Sequence, residues 1–131
     1  MTTEAVGDTI KMRPDLYRLG NRTGPRMNNV REKEYEAIKD PVDNTYVLPG
    51  KGGISTFSTP PTEKKALRLT WKYPSTAKDP NNITVRNDHG NHYSYEPAER
   101  MTLVLYQQAL QATHGTFIRC DPNDFDPIYG Q

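Results

Sequence analysis

Pro49-Gly50-Lys51-Gly52-Gly53-Ile54-Ser55-Thr56-Phe57 sets three glycines directly before a run of β-branched, hydroxyl-bearing and aromatic residues. Glycine adopts backbone angles closed to other residues, and Ile-Ser-Thr-Phe has the composition of a strand. The stretch therefore predicts a turn that opens into a strand. The same residues have a chemical use, because a ligand can approach a backbone that lacks Cβ atoms and the hydroxyls offer donors and acceptors. Such a cradle suits a ribose or a pyrophosphate, and an ordinary hairpin turn uses the same residues. Neither the P-loop spacing nor Gly-x-Gly-x-x-Gly is present.

On either side, short strands alternate with turns. Residues 1–14 read as a flexible lead ending in Arg13-Pro14. Leu16-Tyr17-Arg18-Leu19 predicts a strand, stopped by Gly20-Asn21, with Leu16 and Arg18 on one face and Tyr17 and Leu19 on the other. Residues 28–39 suggest a short exposed helix carrying Val30, Tyr35 and Ile38, and Thr45-Tyr46-Val47-Leu48 a further strand. Leu67, Leu69, Trp71 and Tyr73 alternate with polar residues, which predicts one half-buried strand over 66–73 with Trp71 in the core. Ile83-Thr84-Val85-Arg86, the turn 87–91 and His92-Tyr93-Ser94-Tyr95 read as a hairpin.

Met101, Val104, Leu105, Ala109 and Ala112 recur at helical steps, predicting an amphipathic helix over about residues 98–113 with Pro97 in its first turn. Glu96 and Glu99 at its start would favour the helix dipole. Thr116-Phe117-Ile118-Arg119-Cys120 predicts a last strand before an Asp-, Pro- and Gly-rich tail. The sum is an α+β, mostly β domain spanning 15–131.

Eight Tyr, three Phe and one Trp in 131 residues supply the apolar surface for one core despite a mean hydropathy of −0.87. Eleven Pro and nine Gly argue against a helical bundle. Seventeen basic against sixteen acidic residues leave no global field to draw the chain to nucleic acid or an anionic membrane. No window is apolar enough to span a bilayer. Residues 1–8 lack the basic start and apolar run of a secretory signal, so classical export is not expected. Cys120 is the one cysteine, and the sequence offers nothing beside it that would activate a thiol.

Arg18 is a permanently charged planar fork near the end of a strand, suited to a phosphate or ribose, or to a surface carboxylate. His92 leads a strand directly out of a turn, where it either faces solvent or reaches a cleft. Ser55, His92 and Asp88 are the residue types of a hydrolase triad, but no Gly-x-Ser-x-Gly elbow accompanies them. His89, His92, His114 and Cys120 follow no strong zinc spacing, and no metal is expected.

In order, Leu16-Tyr17-Arg18-Leu19-Gly20-Asn21, Pro25-Arg26, the 47–57 stretch, Ile83–Asp88 and His92-Tyr93-Ser94-Tyr95-Glu96-Pro97-Ala98-Glu99-Arg100-Met101 resemble a family of antibacterial toxins delivered by type VI secretion, similar to ADP-ribosyltransferases. The resemblance covers roughly residues 15–105. It implies a compact ADP-ribosyltransferase-like split sheet and NAD as substrate. It gives catalytic roles to His92 and Ser55, with Glu96 as the nearest stand-in for a glutamate that polarises ribose and acceptor. NAD would be bound by Arg18, Gly53, Ser55, Thr56, Phe57 and Tyr93, with Phe57 or Tyr93 stacked on nicotinamide.

The chain departs from that pattern at Asn28-Asn29, at 75–82 and in residues 115–131. Gln111-Ala112-Thr113-His114 also resembles part of it but lies out of register. The resemblance further implies a cognate immunity protein, an unidentified macromolecular acceptor, and a protein cytoplasmic in its producer and delivered to the target-cell cytoplasm. Two alternatives stay open: an NAD glycohydrolase with water as acceptor, and an interaction domain that kept the fold and lost the chemistry.

Overall fold

Turn residues cut the chain into short pieces, and the pieces pair across long sequence distances. The computed structural model describes residues 13–120. Leu16–Leu19 forms β1, Glu32–Ile38 α1, Tyr46–Val47 β2, Ile54–Phe57 β3, Lys64–Arg68 α2 and Thr70–Tyr73 β4. Ile83–His89 forms β5, His92–Pro97 β6, Met101–Thr102 β7, Leu103–Gln111 α3 and Ile118–Arg119 β8. Six strands make one antiparallel sheet in the order β5-β6-β3-β1-β4-β8, and β2 pairs with β7 apart from it. The architecture is α+β with β dominant.

The large sheet consists of two ladders joined at a seam. β3 pairs with β6 at four positions, and β1 pairs with β4 at four. Between β1 and β3 one pair is registered, Tyr17 opposite Phe57. Beyond it toward Arg18 and Ser55, the bonding that continues the sheet comes from a side chain, as described below.

Strand alternation sends Leu16, Ile54, Tyr73, Tyr95 and Ile83 to one face, where they meet Tyr106 and Leu110 of α3 and Phe117. Tyr95, Tyr106, Leu16, Ile54 and Leu110 are fully buried. Tyr73 packs edge-on against both Tyr95 and Phe117, with centroids 5.9 and 5.0 Å apart, the arrangement aromatic quadrupoles favour. On the opposite face Tyr17, Leu67 and Cys120 form a second, smaller cluster.

The hydroxyl of Tyr106 ties α3 to the sheet. It donates to the Tyr95 carbonyl at 2.6 Å and accepts the Ile54 N–H at 3.2 Å, satisfying two buried backbone groups. Gly53 must be glycine for the same reason, because a Cβ there would lie 2.2 Å from the Tyr95 carbonyl oxygen and 2.8 Å from the Tyr106 hydroxyl.

Several expected boundaries move. The helix expected over 98–113 is confined to α3, because Met101 and Thr102 are taken up by pairing with β2 and the Thr102 side chain caps the helix by accepting the Leu105 N–H at 3.1 Å. Its buried face is Tyr106 and Leu110, whereas Val104 and Leu105 are exposed. Glu96 and Pro97 lie in β6 and belong to no helix start. The strand expected over 66–73 is a helix through Arg68 and a strand only from Thr70. Leu67 fits the alternating pattern by coincidence, since it is buried from a helix in the smaller cluster. Trp71 is half-buried against the core and donates its indole N–H to the Asn21 carbonyl at 2.8 Å.

The lead expected over 1–14 lies outside the described residues up to position 12. Arg13 is anchored, bonding Asp79 and the carbonyls of Pro74 and Ala77. The tail 121–131 is likewise outside the described residues.

Tyr106→Phe should cost about 1–3 kcal/mol in denaturant unfolding, because it strands the Ile54 N–H and the Tyr95 carbonyl without changing shape. Gly53→Ala should cost about 2 kcal/mol or more, as an overpacked contact with backbone. Equal stability of both variants with the parent would refute the hydroxyl's bridging role.

Candidate active site

The β5–β6 hairpin builds the first part of the site through a bulge. Arg86 stands opposite Ser94 and Asn87 opposite Tyr93, but the next pair is His89 opposite His92, so Asp88 is the extra residue. A bulge re-aims side chains that plain alternation would separate. Here Asp88 and His89, although consecutive, both turn to the face that carries His92 and Ser94. The His89 and His92 rings stack with centroids 4.9 Å apart.

On that face a continuous chain of side-chain hydrogen bonds runs across three strands. Ser94 Oγ donates to Asp88 Oδ2 at 2.8 Å, Asp88 Oδ1 lies 2.5 Å from His92 Nδ1, and His92 Nε2 lies 2.9 Å from Ser55 Oγ. An ionised carboxylate only accepts, so Nδ1 carries the proton and Nε2 offers its lone pair to the Ser55 hydroxyl. Burial works to raise the Asp88 carboxyl, but hydrogen bonds from His92 and Ser94 and the neighbouring imidazoles outweigh it and hold the group below its ordinary value. His92 and Asp88 side chains are 18% and 19% exposed, half-sheltered yet open to a ligand. The absence of an elbow argues against a triad in the sequence, and cross-strand pairing assembles the same three groups by another route.

Alternation along β3 and β6 divides the other expected ligand contacts. Ser55 stands opposite Ser94 and Phe57 opposite His92, so these four share the open face. Phe57 is 43% exposed and meets the His92 ring edge-on at 5.4 Å. Thr56 and Tyr93 stand opposite each other on the core face. Thr56 is fully buried with its hydroxyl donated to the Tyr93 carbonyl at 3.1 Å, and Tyr93 packs against the core. Neither lines the cleft with Ser55, which corrects both expectations: successive residues of a strand cannot face one ligand. Gly53 borders a cleft beside Ser55, and its contact with Tyr95 and Tyr106 by itself requires a glycine there.

Arg18 reaches the site through the seam. From the core side of β1 its guanidinium donates to the carbonyls of Pro25 (3.3 Å), Ser55 (3.1 Å) and Arg26 (3.2 Å). It thus replaces backbone pairing between β1 and β3 where the ladders separate. Burial lowers the Arg18 pKa, Glu34 opposes that, and Arg31 and Arg26 add to it. Three of its five N–H groups are used by these carbonyls, which leaves capacity for an anion.

Glu96 shares the face of His92 and Ser94 but is 2% exposed. Its Oε1 accepts the Gly50 N–H at 3.1 Å, and its Oε2 accepts both Nε (2.8 Å) and a terminal nitrogen (2.5 Å) of Arg86. A carboxylate with both oxygens engaged pins the glycine turn to β6, so the expected catalytic role for Glu96 does not fit its surroundings.

Two adjoining clefts open around these groups. One, of about 310 Å³, lies between α1 and the relay and is lined by Arg31, Lys33, Glu34, Lys51, Ser55 and His92 among others. The second, of about 420 Å³, is lined by Arg18, Leu19, Arg26, Asn29, Arg31, Ser55 and Phe57. Ser55 and Arg31 belong to both walls. The charges on the second cleft are all cationic, Arg18, Arg26 and Arg31, which suits an anionic ligand, whereas the first mixes Arg31, Lys33 and Lys51 with Glu34 and Asp88.

Comparison with known protein families, curated proteins and solved structures gives no match.

Among the described residues, one set of three potential metal ligands stands close together, Asp88, His89 and His92, with ligand atoms within 4.8 Å of one another. An ion there would take the Asp88 oxygen or the His92 nitrogen out of the bond that orients the imidazole. His114 bonds the Met27 N–H and Cys120 packs with Tyr17 and Leu67, so neither joins that set. Ser94 and Arg31 are the site residues that sequence reasoning passed over, and Asp88 enters there only as a triad member without its elbow. The hairpin sequence carries Ser94 and Asp88, but only the bulge aims Asp88.

Asp88→Asn keeps the shape and removes the carboxylate that fixes the His92 tautomer, so any activity carried by His92 should fall by about 10²–10⁴-fold. Because the folded Asp88 pKa is depressed, its stabilisation is complete above the ordinary value of about 3.9 and is lost as pH falls through the folded value. Unfolding measured against pH should show a larger acid loss in the parent than in Asp88→Asn, where Asp40 and Asp43 still contribute theirs.

Proposed function

We propose that this chain is an NAD-consuming toxin domain that transfers ADP-ribose to an acceptor in the target-cell cytoplasm. The observation that carries the reading is the meeting of Arg18, Ser55 and His92, far apart in sequence, on the neighbouring strands β1, β3 and β6. Arg18 bonds the Ser55 carbonyl and His92 the Ser55 hydroxyl. These are the residues on which the toxin resemblance turns, and they border a cationic cleft.

In this reading Arg18, with Arg26 and Arg31 beside it, holds the pyrophosphate, and Ser55 orients the nicotinamide ribose. Phe57 offers an exposed ring at the mouth for the nicotinamide. The bond between ribose C1′ and the nicotinamide nitrogen breaks, its electron pair leaves with nicotinamide, and positive charge develops on the ribose as in glycoside cleavage. An acceptor nucleophile then bonds to C1′ and its proton passes to His92 Nε2, where Asp88 stabilises the imidazolium. With Glu96 engaged by Arg86 and Gly50, the base is His92. Water in place of the acceptor turns the same steps into NAD hydrolysis. A cognate immunity protein covering the cleft is the partner this activity calls for in the producing cell.

One observation favours a second reading. The Ser55–His92–Asp88 chain is also the nucleophile, base and orienting carboxylate of a serine hydrolase. The two readings differ in what becomes attached to Ser55.

Purified protein incubated with NAD and bacterial lysate should release nicotinamide and label a macromolecule, or release nicotinamide alone if water is the acceptor. Ser55→Ala and His92→Ala should each slow release by about 10²-fold or more while circular dichroism stays unchanged. No release by the parent protein would sink the NAD reading. Covalent labelling of Ser55 by a fluorophosphonate, abolished in His92→Ala, would support the hydrolase instead.

A further inference from the structure

His114 lies in the turn after α3, on none of the strands that carry the relay. It is half-buried, and its Nε2 accepts the backbone N–H of Met27 at 3.0 Å across 87 residues of sequence. Met27 is fully buried, so this end of the loop is fixed in the core. The two residues before it, Pro25 and Arg26, supply carbonyls that hold the Arg18 guanidinium. Arg26 has φ +55°, a left-handed conformation that is strained for a non-glycine residue. The peptide before it is held by Arg18 through the Pro25 carbonyl, and the peptide after it by Arg18 through its own carbonyl and by His114 through the Met27 amide, so the strained residue is pinned on both sides. The loop's other end is equally close, since a Cβ on Gly20 would lie 2.2 Å from the Gly24 carbonyl oxygen.

The bond to Met27 defines the protonation state of His114. A backbone N–H only donates, so Nε2 must be bare and the proton must sit on Nδ1. An imidazolium would present an N–H to an N–H.

We propose that His114 is a positioning residue for Arg18: its neutral form locks the loop 25–27 against the guanidinium, and its protonation releases that loop and with it the anion-holding arm of the site. The geometry of the lock stands by itself, and its consequence for substrate rests on the NAD reading above. Burial first, and then the positive charge of Arg18, lower the His114 pKa from its ordinary value. Glu34 of α1, Arg31 and Arg26 act in turn on Arg18. With the folded value depressed, the neutral form prevails at neutral pH, and the lock's stabilisation is lost as pH falls below the unfolded value of about 6.5 through the folded one.

The test is a nuclear magnetic resonance titration of the full chain from about pH 8 to about pH 4.5, spanning the histidine range, in the parent, His114→Gln and His114→Phe. The Met27 amide and the Arg18 Nε–H should shift together with the His114 imidazole in the parent. His114→Gln retains an oxygen acceptor and does not titrate, so both signals should stay protected and lose their pH step. His114→Phe should lose Met27 protection at every pH.

In parallel, the parent's KM for NAD should rise by about tenfold through the same midpoint, a usual size for coupling between sites, while any fall in kcat from protonation of the His92 base should be common to the parent and His114→Gln. The KM rise should be absent in His114→Gln. Met27 and Arg18 signals that ignore the His114 titration, or that titrate in His114→Gln as in the parent, would overturn the proposal. Absence of NAD turnover would count against the substrate alone, since the titration reads the lock without it.

Discussion

The arrangement depends on a side chain doing the work of a backbone. Two ladders, β5-β6-β3 and β1-β4-β8, share one registered pair at their seam, Tyr17 opposite Phe57. A sheet that parts leaves carbonyls without partners, and a buried unpaired carbonyl is costly. Arg18 resolves this by spanning the gap, bonding Ser55 on one side and the loop carbonyls of Pro25 and Arg26 on the other. Only a rigid fork with several donors can hold three carbonyls at once, which a lysine's compact ammonium does less well. The separation of strands and the presence of a cationic cleft are thus two aspects of one arginine.

The second constraint is the bulge at Asp88. Without the extra residue, Asp88 and His89 would face opposite sides of the hairpin and His92 would lack either its carboxylate or its stacked neighbour. With it, Ser94, Asp88, His92 and Ser55 form one hydrogen-bonded line along the open face. The buried Glu96, paired with an exposed Arg86, sits one step farther along that face and fixes the glycine turn. Two carboxylates on one hairpin therefore have different duties, one orienting an imidazole and one holding backbone.

How much of this is legible in the sequence depends on the range of the interaction. Local signals succeed: glycines mark the turn before Ile54, alternation assigns Leu16 and Arg18 to one face, and the hairpin of 83–95 follows from its turn residues. Pairing between distant segments is what redraws the rest. Met101 and Thr102 are extended because β2 is there to receive them, and Leu67 is helical although its spacing suits a strand. Among site residues, Ser55, His92, Arg18 and Phe57 can be singled out from type and context. Thr56, Tyr93 and Glu96 cannot be separated from them without knowing which face is covered, and Asp88 cannot be aimed without the bulge.

The sheet order has a consequence for when the site exists. The strands bearing the candidate groups lie side by side as β6-β3-β1, and each neighbour comes from a different third of the chain. No contiguous fragment carries more than a share of the cleft, and contacts of such sequence separation close late relative to local turns. While the chain is still emerging from a ribosome or is threaded in an extended form, Arg18 has no seam to span and His92 no serine to face. Whatever chemistry the cleft performs is therefore silent until residues from Leu16 to beyond Glu96 have all found their places, so the order of strands is itself a safeguard in time.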